Sequence, residues 1–271
     1  MFDPLPDELS HRLSLAQPRL GSFGDVHYCS EVASTNDVAF ALASSGVAEG
    51  TSVLADGQRR GRGRRGHDWF SPPGAGVYLS VIVRPDMTRG LLPLLTIGAG
   101  VALAEAVLET TGLPAELKWP NDLVIGRPWR KLGGVLTEAV STGSRIDAVV
   151  VGLGLNVTPS RLPVGLAPRA SSVEAELGRA VDRCALTVEL LSRIREIMSC
   201  VHRDLRPSIL ERWRRFSRPG LGAAVRWSDA RGVHRGVAQD IDDEGALLVA
   251  AGYGIERVIA GTVSWEELSG E

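Results

Sequence analysis

The sequence predicts an α+β chain: strands and helices intermixed over residues 25–217, then a small all-β unit over 218–271, with residues 1–24 as an N-terminal extension. Three observations carry this. Apolar runs of strand length alternate with segments of helical period as far as Phe216. The composition then shifts at Ser217-Arg218-Pro219-Gly220. Beyond it, four short strand-type runs separated by Asp/Gly turns suggest a small barrel.

In chain order, residues 1–22 are polar, with scattered leucines and Pro4, Pro6 and Pro18, too short for a domain. Residues 25–32 read as a strand. Ser34-Thr35-Asn36-Asp37 supplies N-cap chemistry for a helix through Ser44, closed near Gly46. Residues 51–55 and 77–83 are strands, with turn punctuation between them at Ser71-Pro72-Pro73-Gly74. Residues 94–111 predict a helix whose Gly98, Ala99, Gly100, Ala102 and Ala104 let it lie close against a sheet. Leu117-Lys118-Trp119 is a short β segment stopped by Pro120, which has no N–H for a ladder. Residues 123–125 precede a turn at Gly126-Arg127-Pro128. Strands 132–140 and 146–157 flank Ser141-Thr142-Gly143-Ser144, a hairpin signal. Residues 158–172 hold three prolines and no periodicity, a loop long enough to expect function. Residues 182–203 and 208–216 predict two helices. The last four strands are 223–227, 232–241, 246–250 and 256–265.

With 271 residues, 44% apolar, 23% charged and a net charge of −2, the chain has ordinary globular composition and lacks the basic balance of a general nucleic-acid binder. Cys29, Cys184 and Cys200 fit neither a disulfide framework nor a zinc pattern, which points to a reducing compartment. No secretory pattern opens the chain. The most apolar stretch, 91–104, is too short to span a bilayer and contains Pro93, Gly98 and Gly100. A cytoplasmic protein is expected.

Chemistry concentrates in a few segments. Residues 59–65 hold five arginines in seven positions, threaded with glycine and followed by Trp69-Phe70. Glycine lets the backbone approach a ligand, and guanidinium forks match carboxylate and phosphate oxygens, so this loop suits a polyanionic ligand. An isolated Arg/Gly run is as often a solvated patch; this one lies between two strands, where long loops bind ligands. Lys118 stands at a strand end framed by Trp119 and Pro120, a rigid setting for a working ammonium. Lys131-Leu132-Gly133-Gly134 and Gly152-Leu153-Gly154-Leu155-Asn156 place glycines inside strands, marking close approach of a ligand or only of a neighbour. Gly152-x-Gly154 lacks the third glycine and following helix of a dinucleotide fingerprint. Ser34-Thr35-Asn36 is a helix cap that could also bind a polar ligand head.

Taken in order, Ser34-Thr35-Asn36, Gln58, Gly61-Arg62-Gly63-Arg64-Arg65-Gly66, Lys118-Trp119-Pro120-Asn121-Asp122, Lys131-Leu132-Gly133-Gly134 and Gly152-x-Gly154-x-Asn156-Val157 resemble the biotin protein ligases, or biotin–[acetyl-CoA-carboxylase] ligases, over residues 25–265. The resemblance implies a mixed sheet flanked by helices, related to class II aminoacyl-tRNA synthetases, with a C-terminal SH3-like barrel. It implies formation of biotinyl-5′-AMP from biotin and ATP with Mg²⁺, then transfer of biotin to one lysine of a biotin carboxyl carrier protein. Ser34, Thr35, Asn36, Gln58, Gly61, Arg62, Gly63, Arg64, Lys118 and Gly133 are implied at biotin. Arg64, Arg65, Trp69, Asn121, Lys131 and Asn156 are implied at ATP or adenylate. Lys118, Arg62 and Arg64 take the catalytic part, as cations opposing the repulsion of two anions, and Trp69 pins the closed loop.

Residues 158–172 match the family's adenylate-side loop, implied to order with adenylate. Metal ligands do not follow from the resemblance; Asp122 and Glu138 are candidates. His67 stands where many relatives carry arginine, which implies weaker nucleotide retention, more so at high pH. Some relatives carry an N-terminal DNA-binding domain, and the short segment before residue 25 leads us to expect no DNA binding, no membrane association and a monomer or weak homodimer. The nearest alternative enzyme is a lipoate–protein ligase, whose ligand lacks the ureido group. An RNA-binding module built on the Arg/Gly loop is the alternative of another class.

Overall fold

The computed structural model describes residues 2–86, 91–142, 145–160, 163, 165–229, 232–252, 254–259 and 263–265. Seven strands make the larger sheet: β1 (Val26–Val32), β2 (Ser52–Gln58), β3 (Gly76–Val83), β4 (Glu116–Lys118), β5 (Asp122–Ile125), β6 (Arg130–Thr142) and β7 (Arg145–Asn156). Their order is β1-β2-β3-β7-β6-β5-β4; β1 and β2 pair in parallel and every other neighbouring pair is antiparallel.

The sequence of β3, Gly-Val-Tyr-Leu-Ser-Val-Ile-Val, is buried at all eight positions because helices cover both faces of the sheet there. Val77, Leu79 and Val81 share one core with α3 (Leu92–Thr111) and α5 (Arg183–His202). The opposite face takes α2 (Thr35–Ser44), whose Ala39 and Ala43 pack with Val53, Ile82, Ala148 and Val150. Each fully buried aliphatic side chain contributes roughly 1.5–3 kcal/mol. At 10 residues α2 covers only part of its face. The strip beyond its N-terminus is where the functional segments meet.

Helix α3 is 20 residues long, long and apolar enough by itself to cross a bilayer, so the expectation that this stretch is too short does not hold. Its apolarity is explained by burial in the core instead. Its small residues serve a helix as well as the sheet: a Cβ on Gly98 would stand 2.8 Å from Ile197 Cγ2 of α5. Helix α1 (Asp7–Leu20) was not expected from the sequence. Pro6 precedes it, Asp7 and Glu8 fill its first turn, and Leu9, Leu13 and Leu20 bury one face among the residues of the main core. The Asp3 N–H donates to Tyr28 O at 2.9 Å, so the same extension covers the edge strand β1.

After α4 (Val173–Leu177), α5 and α6 (Arg206–Ser217), a second sheet follows the change in composition. Its strands are β8 (Ala224–Asp229), β9 (Gly232–Ile241), β10 (Leu247–Ala251), β11 (Gly254–Val258) and β12 (Ser264–Trp265), in the antiparallel order β11-β10-β9-β8-β12. This is the SH3-like unit. The single strand expected over 256–265 is two: β11 ends at Val258, and β12 pairs with β8 at the other edge. Of the predicted turns, Gly143, Ser144, Ala230 and Arg231 lie outside the described residues, as do Arg161, Leu162 and Val164 of the 158–172 loop. The two sheets meet at Trp119, 2% exposed, whose Nε1–H donates to Gly245 O at 3.0 Å.

Candidate functional site

The site lies on the sheet face that α2 leaves open. In the pleat, Gly134 of β6 pairs with Gly154 of β7, and Leu136 with Gly152. Positions i and i+2 of a strand share a face, so Gly134, Gly154 and Gly152 form one bare strip. Ser80 of β3 registers with Gly152 on the same face. A cavity of about 340 Å³ stands over this strip.

Its first wall is the N-terminus of α2. Ser34 is the N-cap residue, but its side chain makes no capping hydrogen bond, and it lines the cavity with Thr35 and Asn36. Gln58 Oε1 accepts from the Thr35 N–H at 2.8 Å and from Thr35 Oγ1 at 3.1 Å, while Gln58 Nε2 donates to Ser71 Oγ at 2.9 Å. Buried Ser80 places its Oγ 2.6 Å from Asn36 Oδ1 and 2.8 Å from Thr35 Oγ1. Asn36 Nδ2 donates to Glu138 Oε2 at 2.9 Å. A row of oriented hydroxyls and amides suits a ligand that both donates and accepts, as a ureido group does.

The arginine loop forms the roof. The Trp69 N–H donates to Gly61 O and the Gly63 N–H to His67 O, which closes the loop on itself. Gly61 itself does not line the cavity; a Cβ there would stand 2.6 Å from Ser71 Oγ, so it serves loop closure. Arg62 Nη1 donates to Asp37 Oδ1 at 2.6 Å and Nη2 to Glu138 Oε1 at 2.5 Å. Arg64 Nη1 donates to Asn121 Oδ1 at 3.1 Å. Burial, and then the neighbouring charge of Arg65, push the Arg64 guanidinium below its ordinary range. It remains a cation, and one that an anion would stabilise. Arg65 adopts φ 57°, ψ 33°, a left-handed conformation unusual outside glycine.

The far wall comes from β4–β6. Lys118, Asn121, Asp122 and Lys131 all line the cavity. Lys118 Nζ lies 5.0 Å over the Trp129 ring, whereas Lys131 Nζ lies 5.3 Å over Trp69 and 2.5 Å from Asp122 Oδ1. The Trp69 indole rests on bare Gly154, and its Nε1–H is buried without a hydrogen-bond partner among the described residues. Val263 lines the cavity from the C-terminal unit.

Besides Gly61, two predicted residues lie outside the cavity lining. Gly133 is one residue out of phase with Gly134, so the pleat turns it to the other face, where a Cβ would meet Leu103 Cδ2 at 3.2 Å. Asn156 does not line the cavity; its Nδ2 donates to Ser171 O at 3.0 Å and tethers the 158–172 loop to the strand. Nothing in the sequence alone assigns Ser80, Asp37 or the glycines Gly134, Gly152 and Gly154 to the site. A lone hydroxyl amid the buried residues of β3 was the available signal for Ser80.

Among the described residues no three His, Cys, Asp or Glu side chains gather as a metal site. Asp122 is paired with Lys131, and both oxygens of Glu138 are engaged. Two carboxylates already paired with the chain's own groups do not make up the oxygen cage that a hard divalent cation takes.

Residues 28–156 match the biotin/lipoate A/B protein ligase family, and residues 220–265 match the biotin protein ligase C terminal domain. The chain is 35% identical over 240 residues to the biotin–[acetyl-CoA-carboxylase] ligase of Mycobacterium tuberculosis, covering 86% of each chain. It is 34% identical over 242 residues to the bifunctional ligase/repressor BirA of Bacillus subtilis, covering 87% of this chain and 72% of BirA. Among solved structures, a biotin protein ligase from Aquifex aeolicus in complex with biotin and ATP superposes with a TM-score of 0.75 at 28% identity, covering 90% of this chain and 99% of that one. With both regions matched in order and nearly the whole of a solved ligase overlaid, this chain belongs to the biotin protein ligase family.

Proposed function

We propose that the protein joins biotin to a lysine of a biotin carboxyl carrier protein in two steps, with MgATP as co-substrate. In the first step a biotin carboxylate oxygen attacks the α-phosphorus of ATP. The bond to the β-phosphate oxygen breaks, and biotinyl-5′-AMP and pyrophosphate form. In the second the carrier's amine attacks the activated carbonyl. An amide forms, the bond to AMP breaks, and the amine's proton leaves to solvent. The first step needs no general base, since the carboxylate is ionised near neutral pH.

The observation that carries this reading is the convergence of Arg62, Arg64, Lys118 and Lys131 on one cavity. Two unit anions at about 4 Å repel by about 4 kcal/mol at a near-surface dielectric. Preorganised cations offset this in the transition state. Ser34, Thr35, Asn36 and Gln58 take the biotin head, Arg64, Arg65 and Lys131 the phosphates, and Lys118 the reacting oxygens. The loop over 158–172, tethered through Asn156, closes the adenylate side and excludes water from the mixed anhydride. The catalytic part spans 25–217 and the SH3-like unit 218–271. Three free cysteines support a cytoplasmic setting.

The test is ATP–pyrophosphate exchange stimulated by biotin but not by lipoate, with a streptavidin blot of carrier product. Lys118→Ala is expected to remove most adenylation while the melting temperature holds. Wild-type exchange in that variant would move the reaction centre away from Lys118. Exchange driven by lipoate alone would overturn the substrate assignment.

A further inference from the structure

Arg62 is clamped by the chain's own acids. Glu138 projects from β6 with its side chain 23% exposed, and its two oxygens have different partners: Arg62 on Oε1 and Asn36 on Oε2. Asp37, in the first turn of α2, takes the other guanidinium nitrogen of Arg62. One cation therefore faces two carboxylates, an excess of one negative charge beside a cavity that we read as receiving anions.

We propose that Glu138 is a positioning residue that acts through Arg62: it holds the loop arginine as an internal counter-ion, and a substrate carboxylate or phosphate oxygen must take its place to engage that arginine. This rests on the ligase reading for the identity of the anion. Breaking a hydrogen-bonded ion pair opposes anion binding, whereas a neutral ligand leaves the pair alone. The clamp thus makes movement of the loop arginine conditional on a negative charge. Glu138 also reaches Asn36, so the same side chain couples the arginine loop to the wall assigned to the biotin head.

Glu138→Gln removes the charge and keeps the shape. Binding of biotin, of biotinol (its uncharged alcohol analogue) and of inorganic pyrophosphate is measured by calorimetry on both proteins. The variant is expected to bind one of the two anions about 3- to 10-fold more tightly, with biotinol changed less than about 2-fold. Tightening of biotin names the carboxylate as the displacing group; tightening of pyrophosphate names a phosphate. Unchanged or weaker binding of both anions, or a tightening of biotin matched by an equal tightening of biotinol, overturns the proposal.

A second arm needs no ligand. Trypsin cleavage within residues 59–65 is expected to be faster in Glu138→Gln than in the wild type, and equal rates overturn the clamp. Faster cleavage without binding of biotin or biotinol by either protein sustains the clamp and removes the ligase reading. Should Glu138→Gln melt far below the wild type, Asp37→Asn carries both measurements with the same expected directions.

Discussion

Gly152→Ala tests the geometry of the biotin-head wall most sharply. A Cβ at Gly152 would overlap Asn36 Oδ1 and stand 2.8 Å from its Cγ and 2.9 Å from its Nδ2. Asn36 is 4% exposed and cannot step aside freely, because Ser80 holds one end of its amide and Glu138 the other. Overpacking of this kind costs about 1–3 kcal/mol. If the amide swings out instead, the hydrogen bond to charged Glu138 is lost, about 1.5–3 kcal/mol. By either route the destabilisation is roughly 1–3 kcal/mol, which lowers the melting temperature of a chain this size by roughly 2–12 °C. Thermal melts and biotin titrations on Gly152→Ala, Asn36→Ala and the double variant are the assay. The double variant has room for the new methyl group, so its stability should exceed the additive sum by more than about 1 kcal/mol. Biotin affinity stays low in both Gly152→Ala and the double variant. A single variant that melts with the wild type, or a strictly additive double variant, would refute the contact.

Two further expectations follow from single side chains. His67 lines the cavity on the arginine loop, so His67→Arg, which puts a permanent forked cation there, should raise ATP affinity; equal affinity in the two proteins would remove the phosphate contact. Burial raises the Asp242 carboxyl, but Arg257 and the N–H groups of Ala246 and Glu244 outweigh it, so its folded value lies below the ordinary 3.8. A depressed carboxyl stabilises the fold fully above its unfolded value and loses that contribution as pH falls through the folded one. Acid unfolding followed by tryptophan fluorescence should therefore be less steep below about pH 4 in Asp242→Asn; an unchanged acid limb would show that this turn, which carries Gly245 onto Trp119, does not sense pH.

Much of the fold was legible because period and punctuation agreed. Helix α2 begins at Thr35 after Ser34, as its N-cap chemistry indicated, and β8 to β10 fall between the Asp/Gly turns. What was not legible depended on distant partners. Helix α1 has leucines at helical spacing, but its polar composition reads as a tail until α5 supplies a surface for them. The segment 256–265 looks continuous because nothing in its composition reveals that its two ends pair with opposite edges of a sheet. The site divides the same way. Residue type drew attention to the arginine loop and to Lys118, which do line the cavity, since charge in a rigid or glycine-rich frame is visible locally; Lys131 entered only through the family resemblance. Residue type could not find Glu138 as the partner of Arg62, a contact between residues 76 positions apart. Nor could it choose between Gly133 and Gly134, which differ only in the phase of the pleat.

The strand glycines resolve a choice the sequence left open, between close approach of a ligand and close packing of a neighbour. Each of the three on the cavity face gives its missing Cβ position to a side chain of the protein. Asn36 occupies the space at Gly152. The Trp69 indole occupies that at Gly154, where a Cβ would lie 2.6 Å from the ring. Lys131 Nζ would be 3.3 Å from a Cβ on Gly134. The bare strip is thus a seat on which groups from α2, the arginine loop and β6 lie flat and close together. A β-carbon at Gly152 or Gly154 would lift its partner off the sheet, whereas one at Gly134 would press on the flexible end of Lys131. Glycine here acts at one remove: it fixes the spacing between the Asn36 amide, the Trp69 indole and the Lys131 ammonium.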